Sequence, residues 1–264
     1  MKRNGFTLIE MVVSMVVMAV LFLAIAGFVE LGARGYVDTA ERQRLQNQAR
    51  FAIEKMTREI SHAVPNSIAT RRANQCVRFY PIKASGFYHE QVDPDDLSKT
   101  ELQFIVGNSG FELADFANER HFMVINPSRI SDLETGDAAN SATTSLSQRL
   151  NMQNVLLDDE GYFAVDLYAL GSRSIANRHY IYSADNRVEY CIDNGFLIRT
   201  VYSIIDDTQL DTAVVAQYLS PASRGFFFSD SPLQRGGLVQ IDLTFALQDE
   251  ISVYTHDVQV MNVQ

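Results

Sequence analysis

Tryptophan is absent from the 264 residues, and cysteine, proline and basic side chains are scarce. Two cysteines are too few for a small disulfide scaffold. They form no CxxC pair, which excludes zinc ribbons, thioredoxin-like redox motifs and attached c-type haem. One bridge is the most they can make. Lys and Arg number 22 against 32 Asp and Glu, a net charge of −10. That sign is wrong for a protein that coats nucleic acid or an anionic membrane surface, so nucleic acid is not an expected partner. HExxH, GxSxG, GxGxxG and Walker A signatures are missing, and His62, His89, His121, His179 and His256 are scattered. Neither enzymatic activity nor a cofactor nor a metal is expected. What remains is 47% hydrophobic, 10% aromatic and 20% charged, a globular composition of one or two domains that rules out disorder and collagen.

The amino terminus is lopsided. Met1 to Asn4 is short and basic, and from Phe6 to Val29 the one ionisable side chain is Glu10. As a helix this run is about 35 Å long, enough to cross the hydrocarbon core of a bilayer with some tilt. An ordinary secretory signal has a shorter apolar region with its small-residue cleavage site after it. Here the small residue, Gly5, precedes the run. Glu10 lies inside it, where a carboxylate costs about 2.5 to 3.5 kcal/mol at the membrane centre. Such a residue calls for a functional account.

Lys2-Arg3-Asn4-Gly5-Phe6-Thr7-Leu8-Ile9-Glu10, followed by the apolar stretch, resembles the class III signal of type IV pilins and type II secretion pseudopilins. The resemblance implies cleavage by a prepilin peptidase after Gly5 and methylation of the new amino terminus at Phe6. It also implies an assembly role for Glu10, pairing with the amine of a neighbouring subunit. Loss of Lys2 and Arg3 takes the net charge from −10 to −12 before that amine is counted. An intersubunit pair would offset the desolvation each charge bears alone, and would set axial register.

Past the span, Leu45, Ala49, Ala52, Met56, Ile60 and Ala63 recur at helical spacing among charged neighbours, so one side is expected to be buried. Pro65 predicts a stop at about Val64. Gly27, Gly32 and Gly35 lower helix propensity at the join, where a kink or local melting would fall. Downstream the period becomes two. Val239 to Leu247 alternates apolar with polar, and a phase slip between Ile251/Val253 and Val258/Val260 suggests a bulge near Thr255 to Asp257. Asn194-Gly195 between two apolar runs is a type I′ hairpin signal. Further strands are expected at Cys76 to Ile82, Glu101 to Val106, Arg120 to Ile125 and His179 to Ser183. Ser131 to Asn151 reads as a long surface loop.

The helix text Ala49 to Ile60 into Val64-Pro65-Asn66-Ser67, the run Cys76-Val77-Arg78-Phe79-Tyr80-Pro81, and Val188-Glu189-Tyr190-Cys191 before Phe196-Leu197-Ile198-Arg199 are similar to the MshO-like minor pilins of the mannose-sensitive haemagglutinin pilus. These are relatives of the J-type pseudopilins. The loops 87–100 and 131–154 have no counterpart in that resemblance. The implied fold is α+β: a long N-terminal pilin helix, transmembrane in its first half, packed on an antiparallel β-sheet head domain. The implied organisation is leader 1–5, transmembrane and assembly helix 6–29, amphipathic helix 30–64 and periplasmic head 65–264. The implied role is a minor pilin in type IV pilus biogenesis; a J-like pseudopilin of a type II secretion system and a glycan-binding pilus-tip adhesin are the alternatives. Implied partners are the prepilin peptidase, other minor and major pilins, an inner-membrane assembly platform and the membrane itself, crossed once. The place implied is the inner membrane of a Gram-negative bacterium, and later the fibre. A periplasmic head lies in an oxidising compartment, so Cys76 and Cys191 are expected to be joined.

Remaining candidates are weaker. Asp93-Pro94-Asp95-Asp96 and Asp158-Asp159-Glu160 could offer oxygen ligands but lack EF-hand spacing, so they are expected to be solvated loop charge. Arg71-Arg72 with nearby Arg78 is a candidate DNA or polysaccharide contact, with plain surface charge the blander reading. Phe226-Phe227-Phe228 is expected to be core at a sheet edge.

Overall fold

α1 (Leu8–Ser61) is one unbroken helix of 54 residues. The computed structural model describes residues 7–92, 100–107, 110–118, 120–134, 148–158, 160–167, 170–229, 236–248 and 250–261. Gly5, Phe6, Asp93-Pro94-Asp95-Asp96 and Asp159 lie outside the described residues. Gly27, Gly32 and Gly35 do not interrupt α1. Each costs about 1 kcal/mol against alanine, too little to break a ladder that propagates from both sides. The helix stops three residues before Val64. His62 is the cap, Ala63 bridges Pro81, and the Val64 N–H donates to the Tyr80 carbonyl at 2.8 Å, so a strand-like contact takes the backbone before Pro65 is reached.

The chain then runs through β1 (Ala69–Arg71), β2 (Cys76–Phe79), β3 (Ala84–Val92), β4 (Thr100–Val106), α2 (Leu113–Asn118), β5 (His121–Val124) and α3 (Ser131–Glu134). Next come β6 (Arg149–Asn151), β7 (Leu156–Leu157), β8 (Phe163–Leu167), β9 (Arg178–Ser183), β10 (Arg187–Asp193) and β11 (Phe196–Tyr202). The last elements are β12 (Gln209–Gln217), β13 (Gly225–Ser229), β14 (Gly236–Leu247) and β15 (Glu250–Met261). They form three antiparallel sheets, ordered β1-β2-β10-β11-β12, β13-β14-β15 and β6-β5-β9-β3-β4-β8-β7. The chain is therefore α+β, a long amino-terminal helix followed by antiparallel sheets. At the β10–β11 turn, Asn194 and Gly195 both have positive φ, 48° and 81°, as a type I′ turn requires.

Three expectations need correction. β14 and β15 pair in continuous register from Gly236↔Met261 to Leu247↔Glu250, with no bulge at Thr255 to Asp257. Ile251 and Val253 are exposed on the outer face, while Tyr254, Val258 and Val260 point inward, so the apparent slip is a change of apolar face within one regular strand. The segment 87–100 is not all loop: β3 continues through Val92, which pairs with Thr100, with Ser85, Phe87, His89 and Gln91 on the wet face. The stretch from Ser131 to Asn151 is ordered at both ends, as α3 and β6, leaving 135–147 outside the described residues.

Leu45, Ala49, Ala52, Met56 and Ile60 are fully buried and share one core with Val77, Phe79, Val188 and Tyr190 of one sheet and Val239, Ile241, Leu243 and Phe245 of another. Polar contacts flank this stripe. Arg42 pairs with Glu250 at 2.6 Å, the Gln217 N–H donates to Gln48 Oε1 at 3.1 Å, and Arg199 Nε reaches Glu59 at 2.9 Å. Burial pushes the Glu59 carboxyl up, but hydrogen bonds from Arg199 and Lys55 outweigh it and hold the group below its usual range. The seven-stranded sheet has its own core, centred on Leu102, Phe104, Met123 and Ile181. Beside it lies His179, wholly buried, edge-on to Phe104, with no hydrogen-bond partner for either ring nitrogen among the described residues. Burial pushes its pKa down to about 3.

Cys76 and Cys191, directly opposite on β2 and β10, are joined by a disulfide across a sequence separation of 115. The chain-entropy relation values such a loop at about 4 to 5 kcal/mol. Thiol labelling of the denatured, unreduced protein should find no reactive cysteine, and two per chain would rule the bridge out. Met56→Ala should lower stability by about 2 to 5 kcal/mol, and Met56→Asp should unfold the head by leaving a buried charge unpaired. An unchanged melting temperature for Met56→Asp would contradict this packing. The unfolded chain takes up the His179 proton near pH 6.5 and the folded chain only near 3, so stability falls as pH drops below 6.5. Urea melts between pH 6.5 and 5.5, above the pH at which the unfolded Glu59 carboxyl takes up its proton, should show a loss of up to about 1.4 kcal/mol per pH unit that His179→Leu removes.

Candidate functional site: the amino-terminal half of α1

The first four N–H groups of a helix lack intrahelical acceptors, and their partial positive charge attracts an anion. Thr7 and Glu10 answer this reciprocally. Thr7 Oγ1 accepts from the Glu10 N–H at 3.4 Å, while Glu10 Oε2 accepts from the Thr7 N–H at 3.0 Å and its hydroxyl at 3.1 Å. This is a capping box. Thr7-x-x-Glu10 before an apolar run is the sequence signature of this cap, a local role for Glu10 beside the one its charge suggests. Glu10 Oε1 has no partner among the described residues.

From Leu8 to Ala40 every side chain of α1 is exposed, including Phe22, Leu23, Phe28 and Leu31. Among the described residues, nothing in the head covers this surface. The helix is long and apolar enough to cross a membrane, by length and composition. Glu10 borders an open furrow of about 470 Å³ whose other walls are Ile9, Val13, Val17, Met18 and Leu21. Ridges at this i, i+4 spacing are what a second helix packs against. Ser14 turns its hydroxyl back to the Met11 carbonyl at 2.9 Å, so its polar atom does not disturb the furrow. The arrangement offers an apolar packing surface with one carboxylate oxygen in reserve at its end.

The remaining candidates separate in space. His62 Nδ1 lies 2.9 Å from the Arg58 carbonyl at the end of α1, His89 is exposed on β3, and His121 and His179 are buried. Among the described residues, the group of metal-ligating type is Cys76, Glu189 and Cys191, and the disulfide leaves its two sulfurs without a thiolate. Asp158 uses Oδ1 on the N–H groups of Glu160 and Tyr162, and Oδ2 on Gln103, so it folds its own loop. Arg78 pairs with Glu134 at 2.9 Å, while Arg71 and Arg72 stand on the rim of a cleft. Phe226 is buried in the core, and Phe227 lies under the Arg224 guanidinium.

Residues 1–26 match the family described as the prokaryotic N-terminal methylation motif. No curated protein and no solved structure matches the chain. The match spans the basic residues before Gly5, the capped helix start and most of the exposed apolar run. The likeness to prepilin-type proteins thus covers 26 of the 264 residues, the segment that opens into the long helix α1.

Proposed function

We propose that the protein is a low-copy minor pilin of the mannose-sensitive haemagglutinin type. It is cut after Gly5 by a prepilin peptidase, methylated at Phe6, held in the inner membrane by residues 6–29 with its head 65–264 in the periplasm, and carried by helix packing into a pilus with other minor and major pilins. The observation that carries this reading is the exposed apolar half of α1 ending in the Glu10 carboxylate. Lipid solvates that surface in the single subunit and neighbouring helices do so in the fibre. Carboxylates accept at both oxygens, so Oε2 can keep the capping box while Oε1 takes the Phe6 amine of a neighbour. Cap and intersubunit pair are compatible in one residue.

Glu10→Ala should therefore block incorporation while leaving Gly5 cleavage intact, because the peptidase reads the leader and assembly reads the carboxylate. Glu10→Asp should be intermediate, its shorter side chain weakening a charge-assisted hydrogen bond. Each variant is expressed in a deletion strain, with processed protein scored by gel shift and surface pili by microscopy. Normal piliation with Glu10→Ala would remove the assembly role. Loss of a secreted enzyme with normal pili would move the protein to a secretion system.

A further inference from the structure

The outer face of the five-stranded sheet carries a feature that helix packing does not use. Along β10, Val188 and Tyr190 point to α1, so Glu189, Cys191 and Asp193 point away; along β11, Leu197 faces the core and Ile198, Thr200 and Tyr202 the other side. These outward residues floor a cleft of about 500 Å³, walled by the β1–β2 turn and by β12. That volume lies in the range of small-molecule sites.

The turn that brings Arg71 and Arg72 to this cleft is unusual. Arg72, Ala73 and Asn74 are left-handed in succession, with φ of 50°, 52° and 69°. Non-glycine residues in that region each cost on the order of 1 kcal/mol or more and persist where the surroundings enforce them. The surroundings here do. The Gln75 N–H donates to the Arg72 carbonyl at 3.1 Å, the Asn74 carbonyl accepts from Phe226 N–H at 2.8 Å, and the Gln75 carbonyl accepts from Ile192 N–H at 2.9 Å. Gly225 has φ of 93°, and a Cβ there would lie 2.1 Å from the Asn74 carbonyl oxygen. Arg71 sits opposite Cys76, which is bonded to Cys191, so the disulfide staples the arginine turn to the strand bearing Glu189 and Asp193.

The charges around the cleft are unspent. Arg78, Arg187 and Arg199 on the same sheet each hold a carboxylate, whereas Arg71, Arg72, Glu189 and Asp193 form no ion pair among the described residues. Two guanidinium forks suit a carboxylate. Two carboxylates and the hydroxyls of Thr200 and Thr212, 3.4 Å apart, suit a ligand rich in hydroxyl groups. Tyr202 and Ile198 add an apolar surface for ring C–H groups. Glu189 and Asp193 would repel a polyanion with a charge on every residue, nucleic acid and polyuronate alike, so the ligand that fits carries a single carboxylate.

We propose that this cleft binds an acidic saccharide, a neutral oligosaccharide bearing one uronic acid whose carboxylate lies on Arg71 and Arg72 and whose hydroxyls meet Glu189, Asp193 and Thr200. The site stands apart from the assembly role, and either can fail without the other. The test titrates the full-length protein, in a polyoxyethylene detergent free of sugar, with aldotetraouronic acid, a xylotriose bearing one glucuronic acid, by calorimetry. Xylotriose and a single-stranded DNA 12-mer serve as comparison ligands. Aldotetraouronic acid should bind at least tenfold tighter than either, more weakly as salt rises, and at least tenfold more weakly to Arg71→Gln/Arg72→Gln. Thr200→Val, which leaves the turn untouched, should cost several-fold and carries the decision should the double variant misfold. No binding of aldotetraouronic acid, equal binding of xylotriose or DNA, or full affinity in the folded variants would each overturn the proposal.

Discussion

The head depends on one stripe of α1. Leu45, Ala49, Ala52, Met56 and Ile60 are fully buried, and they are the surface on which two separately hydrogen-bonded sheets meet. Between β12 and β14 the backbone link is the isolated bridge Leu219↔Phe245 with its flanking bonds. Without the helix the inner faces of both sheets would be open to water. The two alanines in the middle of the stripe let the helix backbone come close, and Leu45, Met56 and Ile60 fill the space at either end. Packing of this kind is sensitive to single methylene groups. The amphipathic half of α1 is thus an integral part of the head.

The same packing orients the other half. Arg42–Glu250, Gln48–Gln217 and Glu59–Arg199 lie along the buried stripe, one near each end and one between. Partly exposed pairs contribute about 0 to 1 kcal/mol each, so their work is to hold rotation and register. From Leu8 to Ala40 the helix runs on for about 50 Å at 1.5 Å per residue, exposed throughout. The helix is unbroken from Leu8 to Ser61, so the rotation set by the contacts at Arg42, Gln48 and Glu59 also fixes the side of the apolar half on which Glu10 and its furrow lie. An exposed apolar surface of this extent is stable only in lipid or against other helices.

Much of this was legible in the residues, for physical reasons that differ from element to element. The stripe at Leu45 to Ile60 and the Asn194-Gly195 hairpin are local, so period and turn chemistry sufficed. The slip along β15 misled because exposed Ile251 and Val253 look like core; which face is wet depends on α1, some two hundred residues away. The seven-stranded sheet was visible only as separate strands, since its order joins β3 to β9 and β5 to β9 across long separations. Nothing in sequence marks His179 as buried beside Phe104 and Gly86. At the amino terminus the charge of Glu10 was conspicuous, and its reciprocal bond to Thr7 was overshadowed by it.

Strand alternation finally explains how one sheet can serve two purposes. Successive side chains of β10 point to opposite faces, so Val188 and Tyr190 are committed to the helix while Glu189 and Asp193 are not. An exchange at an outward position leaves the helix contacts untouched, whereas one at an inward position disturbs the core shared by both sheets. The disulfide lies between these regimes: Cys76 is buried and Cys191 half-exposed at the cleft floor. It ties the arginine turn to the sheet at the point where core ends and cleft begins. Chemistry on the outer face can therefore change by surface substitution alone, under a framework that α1 and the bridge hold constant.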